Sequence, residues 1–307
     1  MGLFVIVLLF VCCNCRPLGV VSSVWTALTL TMTVVEIVSK LSSLGVSYIE
    51  LRQGSLAGYE SGSANTPNAS ALRSLVAQFP TVSFSYAMSL SVDVVNETIL
   101  GQGLNAVSAI SNQLQNGVPL LRIVDLKTNN KNYNSSLFQQ MANNLAQAAS
   151  TAFGREIALG VENAPLSWNI FWPMMQSASS NFSSAPFVAF DAANICWVSD
   201  SGDLCPQVCV SFCGLQLIFF GFWQIALNAA RQVNSDNALL LHAKQVVNGS
   251  IAPTVMDGRV DWQSLASIFN ARAQNLPLLL EISPSVDLFA NIASSTAYLQ
   301  QKGFVFD

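Results

Sequence analysis

Four residues with metal-binding side chains stand at or near the ends of short apolar runs in the second half of the chain. They are Glu162 in IALGVEN, Asp191 in FVAFDAAN, His242 in LLLHAK and Glu281 in LLLEIS. Three carboxylates and one imidazole form a hard-to-borderline ligand field that suits Mn²⁺, Mg²⁺, Co²⁺ or Zn²⁺. These residue types predict one divalent-metal site, provided that the fold brings the four side chains together.

Each of these residues also has a simpler explanation. A carboxylate at a strand end is often solvated or caps a following helix, and a single histidine after three leucines is often a hydrogen-bonded core residue. However, His242 is the only histidine in the sequence, and acidic residues end the apolar runs on both sides of it. The occurrence of all four residues at successive strand ends favours one shared metal site over a separate structural role for each residue.

Positioning the four side chains requires a particular arrangement of strands. Short runs rich in Val, Ile, Leu and Phe alternate with longer stretches of helical apolar spacing, which is typical of βα units and a parallel sheet. The pattern predicts strands at 18–23, 46–52, 81–86, 119–125, 156–162, 187–191, 238–242 and 278–282, and helices at 33–44, 71–78, 99–115, 136–153, 261–273 and 286–301. Eight strands predict an α/β fold, a single-domain (β/α)8 TIM barrel over residues 16–307. In that fold the C-terminal strand ends converge on one mouth, where the four candidate ligands would meet.

The composition excludes several classes of protein. With 51% hydrophobic and 10% charged residues, the chain is too apolar for a disordered protein, and its apolar residues are too evenly mixed with Ser, Asn and Gln for a multi-span membrane protein. The net charge is -4, and the scattered Lys and Arg form no basic patch of the kind that binds nucleic acid. We therefore expect a globular protein with a small-molecule partner and no nucleic-acid partner. The sequence does not indicate an oligomeric state.

The first fifteen residues, MGLFVIVLLFVCCNC, have the length and apolar character of a signal peptide. We interpret residues 1–15 in this way and expect secretion or entry into the secretory pathway, with no stable membrane insertion after removal of the leader. No Lys or Arg precedes the apolar run, and no clear small-x-small cleavage site follows it. A membrane anchor and a wrongly assigned start are the alternatives, and a wrong start would make the protein cytoplasmic.

An apolar insert at about residues 205–224 interrupts the βα pattern. Residues 208–223 read VCVSFCGLQLIFFGFW, with no charge and no regular period, and fall short of the roughly 20 residues of a membrane-spanning helix. A loop buried against the barrel or a partner is one explanation. We favour a retained intron, because the codons for Gln-Val-Cys can form a splice-donor sequence. The spacing of Cys205, Cys209 and Cys213 would place them on one helix face, but a zinc site needs a fourth ligand.

Several segments, in order, resemble a known superfamily. The helical stretch from residue 36 leads into LGVSYIELR at 44–52, and GVEN at 160–163, FDAAN at 190–194, HAK at 242–244 and DGRVDW at 257–262 follow. Together they resemble the xylose isomerase-like barrel superfamily of sugar isomerases and epimerases, over nearly the whole chain after residue 15 except the insert. The resemblance implies a TIM barrel with one divalent metal, bound by Glu162, Asp191, His242 and Glu281.

The resemblance also implies roles in catalysis. In the epimerase branch, the two glutamates at the positions of Glu162 and Glu281 remove and return a proton beside a carbonyl that the metal polarises. Opposed carboxylates next to a metal ion are chemically suited to this proton transfer. Further candidates for substrate binding are Lys244 at the HxK position, Asn194 after the sixth strand, and Glu50 and Arg52 at the end of the second. For the last two, and for Arg122 on the fourth strand, a structural arginine–carboxylate pair is the alternative.

The sequence departs from the family pattern at two positions. Asn194 stands where epimerases often have a histidine, and Gln245 stands where an aspartate commonly follows HxK, so substrate contacts are expected to differ. A single histidine is too few for the second metal of xylose isomerase or for the three-zinc cluster of the related endonucleases. We predict a metal-dependent isomerase or epimerase of a small sugar or hydroxy-carbonyl compound. The alternatives are a non-catalytic metal- or sugar-binding barrel and a related lyase or dehydratase.

Overall fold

A closed barrel of eight parallel strands forms the centre of the molecule. The computed structural model describes residues 15–111, 119–124, 134–164, 166–180, 185–197, 225–256, 258 and 260–307. The strands are β1 (Leu18–Val21), β2 (Tyr48–Arg52), β3 (Ser83–Ser89), β4 (Leu120–Val124), β5 (Ala158–Glu162), β6 (Phe187–Asp191), β7 (Ala238–Ala243) and β8 (Leu278–Leu280). β1 pairs with both β2 and β8, which closes the barrel. The predicted TIM-barrel fold is confirmed.

Helices cover the outside of the barrel. In the described ranges they are α1 (Val34–Ser43), α2 (Ala69–Val76), α3 (Glu97–Ser111), α4 (Ser135–Phe153), α5 (Trp168–Ser180), α6 (Ala192–Trp197), α7 (225–232), α8 (Trp262–Arg272) and α9 (Leu288–Gln301). Two short hairpins extend from loops, Glu60–Ser61 with Thr66–Pro67 and Val246–Val247 with Ser250–Ile251. None of the helices in these ranges is long and apolar enough to cross a bilayer.

The strand sequences reflect burial on both faces. β4, with the sequence LLRIV, is buried along its whole length, as expected for a parallel strand between helices and the barrel interior. Its one charged residue, Arg122, has no exposed surface. Because a buried charge is unfavourable unless it is paired, Arg122 requires acidic partners inside the barrel.

The first helix shows how local sequence positions the outer layer. Thr33 is the N-cap of α1, and its hydroxyl accepts from the backbone N–H of Glu36, whose carboxylate accepts from the N–H of Thr33 at 2.8 Å. This capping box satisfies two backbone donors at the start of the helix. The buried residues Val34, Ile37, Val38 and Leu41 then repeat at helical spacing and face the sheet.

The two ends of the described chain meet beside β1. Arg16 forms an isolated bridge with Phe306, with its backbone N–H donating to Val305 at 3.0 Å. The guanidinium carbon of Arg16 lies 5.2 Å from the ring centre of the buried Phe304, and Nη2 donates to Asn270 Oδ1 at 3.0 Å. These contacts hold the C-terminal residues against the start of the barrel.

The predicted strands correspond one to one to the observed strands, with ends that shift by a few residues. α5 and α6 were not predicted, α7 lies within the helix-like stretch QIALNAARQ, and the loop after β2, which is rich in Gly, Ser and Asn, contains a hairpin. Residues 1–14 of the proposed signal peptide lie outside the described residues. The same holds for the apolar insert up to residue 224 and for its three cysteines.

Candidate metal centre

The four candidate ligands meet at the C-terminal mouth of the barrel. Glu162 and Asp191 are the last residues of β5 and β6, His242 is the next-to-last residue of β7, and Glu281 directly follows β8. One nitrogen or oxygen atom from each of them lies within 4.8 Å of the others. All four side chains are buried. The fold therefore places side chains up to 119 positions apart in sequence around one point.

Asp191 is fixed by contacts to its backbone and to one carboxylate oxygen. The side chain of Asn163 bonds to both backbone groups of Asp191: its Oδ1 accepts from the Asp191 N–H at 2.8 Å, and its Nδ2 donates to the Asp191 carbonyl at 2.9 Å. Oδ1 accepts from the backbone N–H groups of Ala193 at 2.8 Å and Asn194 at 3.2 Å. The other oxygen, Oδ2, lies 2.6 Å from the ammonium nitrogen of Lys244. One oxygen thus orients the carboxylate, and the other faces the cluster.

Glu162 is held through both carboxylate oxygens. Arg122 Nη1 donates to Oε2, and Asn194 Nδ2 donates to Oε1 at 2.8 Å. Burial and the nearby Glu281 raise the pKa of Glu162, but the charges of Arg122, His242 and Lys244 together outweigh them and lower the pKa below its ordinary value. Glu162 is therefore ionised near neutral pH, which is the form that binds a cation.

Glu281 lies among three nitrogen-bearing side chains. Arg52 Nη1 donates to Oε1 at 3.2 Å, while Lys244 Nζ and His242 Nδ1 each lie 3.4 Å from Oε2. Burial raises the pKa of this carboxyl, but Lys244, His242 and Arg52 together lower it well below its usual value. Arg52 is the more exposed partner of its pair, with 24% of its side chain accessible, so it lies at the outer edge of the mouth.

Arg122 joins Glu50 to Glu162 inside the barrel. Its Nε donates to Glu50 Oε2 at 2.9 Å, Nη2 donates to Glu50 Oε1, and Nη1 donates to Glu162. Both oxygens of Glu50 therefore bond to Arg122, and neither side chain has exposed surface. Of the two interpretations of Glu50, the structure shows the arginine–carboxylate pair. Arg122 was not among the chosen site residues, although a single charge within the apolar run LLRIV marks it.

Lys244 places an ammonium group among the acids. Besides Asp191 Oδ2, its Nζ lies 3.4 Å from Glu281 Oε2 and 3.9 Å from Glu162 Oε1. Burial lowers the pKa of Lys244, but the charges of Asp191, Glu281 and Glu162 outweigh it and raise the pKa above its ordinary value. The group is therefore a permanent cation that contacts the oxygens a metal ion would use.

His242 provides the test of whether these residues fit a metal ion. Among the described residues, neither ring nitrogen has a hydrogen-bond partner at good geometry, and both are buried. The nearest acidic oxygens are Glu281 Oε2, 3.4 Å from Nδ1, and Glu50 Oε1, 3.7 Å from Nε2. Buried polar atoms in proteins almost always have a partner, and a bound ion is one explanation where they do not. Nδ1 thus faces a candidate ligand carboxylate, and Nε2 faces the carboxylate of Glu50. Metal-bound histidines commonly have this arrangement, with one nitrogen on the metal and the other facing a carboxylate.

The charges of the cluster are close to balance. Four carboxylates and three cations face one another here: Glu50, Glu162, Asp191 and Glu281 against Arg52, Arg122 and Lys244. With a neutral His242 the sum is one negative charge, so Lys244 is the group that a divalent ion must compete with. The carboxylates raise the pKa of His242 against the opposing effect of burial, so a metal ion would compete with a proton for this ring.

Gln245, one of the two departures from the family pattern, faces away from the cluster. Its Nε2 donates to the carbonyls of Val255 and Val260 at 3.3 Å each, and its Oε1 accepts from the Val260 N–H at 3.1 Å. The side chain is buried. It therefore supports the loop before α8. The other departure, Asn194, does contact the cluster through Glu162.

Comparison with solved structures shows that this chain shares its TIM-barrel fold with proteins described as sugar epimerases, as xylose isomerase domain proteins and as a dehydratase. An L-ribulose 3-epimerase matches with a TM-score of 0.60 and 13% identity, covering 94% of both chains. A D-allulose 3-epimerase from Methylomonas sp. matches with a TM-score of 0.61 and 11% identity, over 94% of this chain and 98% of that one. A probable 3-DHS dehydratase from Bacillus anthracis matches with a TM-score of 0.63 and 8% identity, over 93% of this chain and 99% of that one. No protein-family model and no curated protein matches the sequence.

Proposed function

We propose that the protein is a metal-dependent isomerase or epimerase of a small sugar or related hydroxy-carbonyl compound. The observation that carries the proposal is the meeting of Glu162, Asp191, His242 and Glu281 at the barrel mouth, within 4.8 Å of one another. Catalytic residues of TIM barrels lie at this face. The epimerases among the structural neighbours support the same class of substrate.

The four residues would hold a divalent ion of the Mn²⁺, Mg²⁺, Co²⁺ or Zn²⁺ type. When bound, such an ion stabilises the negative charge that develops on the oxygen of a carbonyl beside the reacting carbon. Glu162 and Glu281 supply the proton acceptor and donor. Arg122 and Asn194 fix the carboxylate of Glu162, and Arg52 and Lys244 fix that of Glu281, so both bases are oriented before a substrate arrives.

Substrate contacts are proposed for the polar groups nearest the opening. Arg52 has the accessible guanidinium at the edge of the mouth, and Lys244 carries an ammonium group at its centre. Both suit the hydroxyl and carbonyl oxygens of a sugar. Asn194 keeps a carboxamide oxygen beside Glu162, because its Nδ2 is the atom that bonds to the carboxylate. Glu50 acts indirectly, through Arg122.

Exchange of substrate hydrogen with solvent tests the proposed chemistry. Purified protein with added Mn²⁺ in D₂O should incorporate deuterium beside the carbonyl of at least one member of a panel of keto-sugars. Glu162→Gln and Glu281→Gln should each lower the exchange rate by about 100-fold or more, since each removes a general acid–base group that is also a candidate metal ligand. Glu97→Gln, on the exposed start of α3, is the matched control and should exchange as the wild type does. Metal-loaded protein that exchanges no hydrogen across the panel would contradict the isomerase proposal.

Two other functions each have one observation in their favour. The dehydratase among the structural neighbours favours a lyase that uses the same cation and proton acceptor. Loss of water from a hydroxy-carbonyl substrate, rather than exchange with recovery of isomers, would identify this reaction. The ammonium of Lys244 contacts the carboxylate oxygens that a metal ion would use. This position favours the alternative of a barrel that binds sugars without turnover. Sugar binding by the wild type without exchange or loss of water would identify that alternative.

A further inference from the structure

The Glu50–Arg122 pair contacts two of the four candidate ligands from inside the barrel. Arg122 donates to Oε2 of Glu162, and Glu50 Oε1 lies 3.7 Å from Nε2 of His242. Both members are completely buried, and they are joined by two hydrogen bonds in a fork. A bidentate arginine–carboxylate pair has a fixed geometry, so each member holds the other in place.

The two nitrogens of His242 face different surroundings. Nδ1 lies 3.4 Å from Glu281 Oε2, which belongs to the candidate ligand set, whereas Nε2 faces Glu50, which does not. Histidines that bind metals commonly donate their second ring N–H to a carboxylate, which sets the tautomer and the ring orientation. A movement of less than about 1 Å would bring Glu50 within hydrogen-bond distance of Nε2.

We infer that the Glu50–Arg122 pair is a positioning unit for the metal ligands, an inference that rests on the proposed metal site. Glu50 accepts from Nε2–H of His242 and leaves the Nδ1 lone pair facing the cluster. Arg122 holds Oε2 of Glu162, so that Oε1, which accepts from Asn194, faces the cluster. One buried ion pair thus orients ligands on two strands, β5 and β7, without contacting substrate or metal itself.

The single histidine in the chain makes this inference directly measurable. Protein labelled with ¹⁵N-histidine gives signals from His242 alone, and ¹¹³Cd²⁺ is a diamagnetic probe that couples to the nitrogen it binds. With one equivalent of ¹¹³Cd²⁺ bound, we expect the cadmium coupling at Nδ1 and a slowly exchanging proton on Nε2. Cadmium coupling at Nε2 would overturn the inference and leave the metal site intact. Failure of the wild type to bind Cd²⁺ at all would overturn the metal site and the inference together.

Replacement of Glu50 tests its part in the unit. Glu50→Gln places an amide N–H₂ against one of the two Arg122 donors and removes the charge that faces Nε2. We expect a shifted or rapidly exchanging Nε2 proton and an affinity for Cd²⁺ that falls about 10- to 100-fold, as for other changes behind a metal-bound histidine. Phe304→Ala is the control for a general loss of stability, because Phe304 packs on Arg16 instead of the cluster; its His242 signals should match the wild type. Unchanged His242 signals and unchanged affinity for Cd²⁺ in folded Glu50→Gln would overturn the inference. If that variant does not fold, the nitrogen of wild-type His242 that couples to ¹¹³Cd²⁺ decides the question.

Discussion

Lys244 places its ammonium against oxygens of three candidate metal ligands. Its ammonium lies 2.6 Å from Asp191 Oδ2 and 3.4 Å from Glu281 Oε2, so it and a bound cation need the same oxygens. Like charges 4 Å apart near a protein surface repel by about 4 kcal/mol. We therefore expect the charge of Lys244 to oppose binding of a cation at these oxygens.

Replacing this lysine separates metal binding from substrate binding. Lys244→Met keeps much of the length of the side chain but removes the charge, so we expect affinity for Mn²⁺ to rise about tenfold or more by isothermal titration calorimetry. Lys244→Arg, which keeps the charge, is the control and should show no such gain. If Lys244→Met binds Mn²⁺ no better than Lys244→Arg, the ammonium does not compete with the ion.

At the residue scale, the sequence predicted which side chains form the cluster but did not predict how they are supported. Strand-end positions were sufficient for Glu162, Asp191, His242 and Glu281, because parallel strands bring their C-terminal ends together. The contacts of Arg122 and Asn163 depend on strand register: Arg122 pairs with Gly160, two residues before Glu162. Register between two strands 38 positions apart in sequence is set by packing of the whole barrel, and no local pattern encodes it.

Among the elements, the strands were predicted better than the helices. Continuous Val, Ile and Leu runs are typical of buried parallel strands, and all eight were found. α5 was missed because its sequence, WNIFWPMMQSASS, contains Pro173 and large apolar residues without a clear polar face. Trp168 of this helix packs edge-on against Phe190 of β6, with the ring centres 5.6 Å apart, so a tertiary contact compensates for the weak local signal.

The capping box of α1 makes a prediction at the scale of one element. Thr33→Ala removes the hydroxyl that accepts from Glu36, so the free energy of unfolding should fall by about 1 kcal/mol in urea titrations. Ser43→Ala, at the exposed opposite end of the same helix, is the matched control and should change stability by less than about 0.5 kcal/mol. Equal effects of the two substitutions would show that the box adds nothing beyond ordinary surface contacts.

For the whole molecule, the segment before β1 packs against the segment after α9. Phe304 is buried and lies between the Arg16 guanidinium and the ring of Trp262 on α8. Phe304→Ala should therefore lower the free energy of unfolding by about 3–5 kcal/mol, through lost burial and the cavity left behind. The measurement is urea unfolding followed by circular dichroism.

An exposed phenylalanine provides the comparison for that experiment. Phe153, at the end of α4, has 64% of its surface accessible, so Phe153→Ala should change the free energy of unfolding by less than about 0.5 kcal/mol. If Phe304→Ala is tolerated equally well, the chain ends do not stabilise the barrel.

The central claim is that four side chains distant in sequence bind one divalent ion at the barrel mouth, and metal content tests it most directly. After incubation with Mn²⁺ or Zn²⁺ and removal of excess ion, wild type and the control Glu97→Gln should retain one ion per chain. His242→Ala and Glu281→Gln should lose most of it, because each removes a donor or a charge from a four-residue set. Wild-type protein that retains no ion, or variants that retain as much as the wild type, would contradict the account.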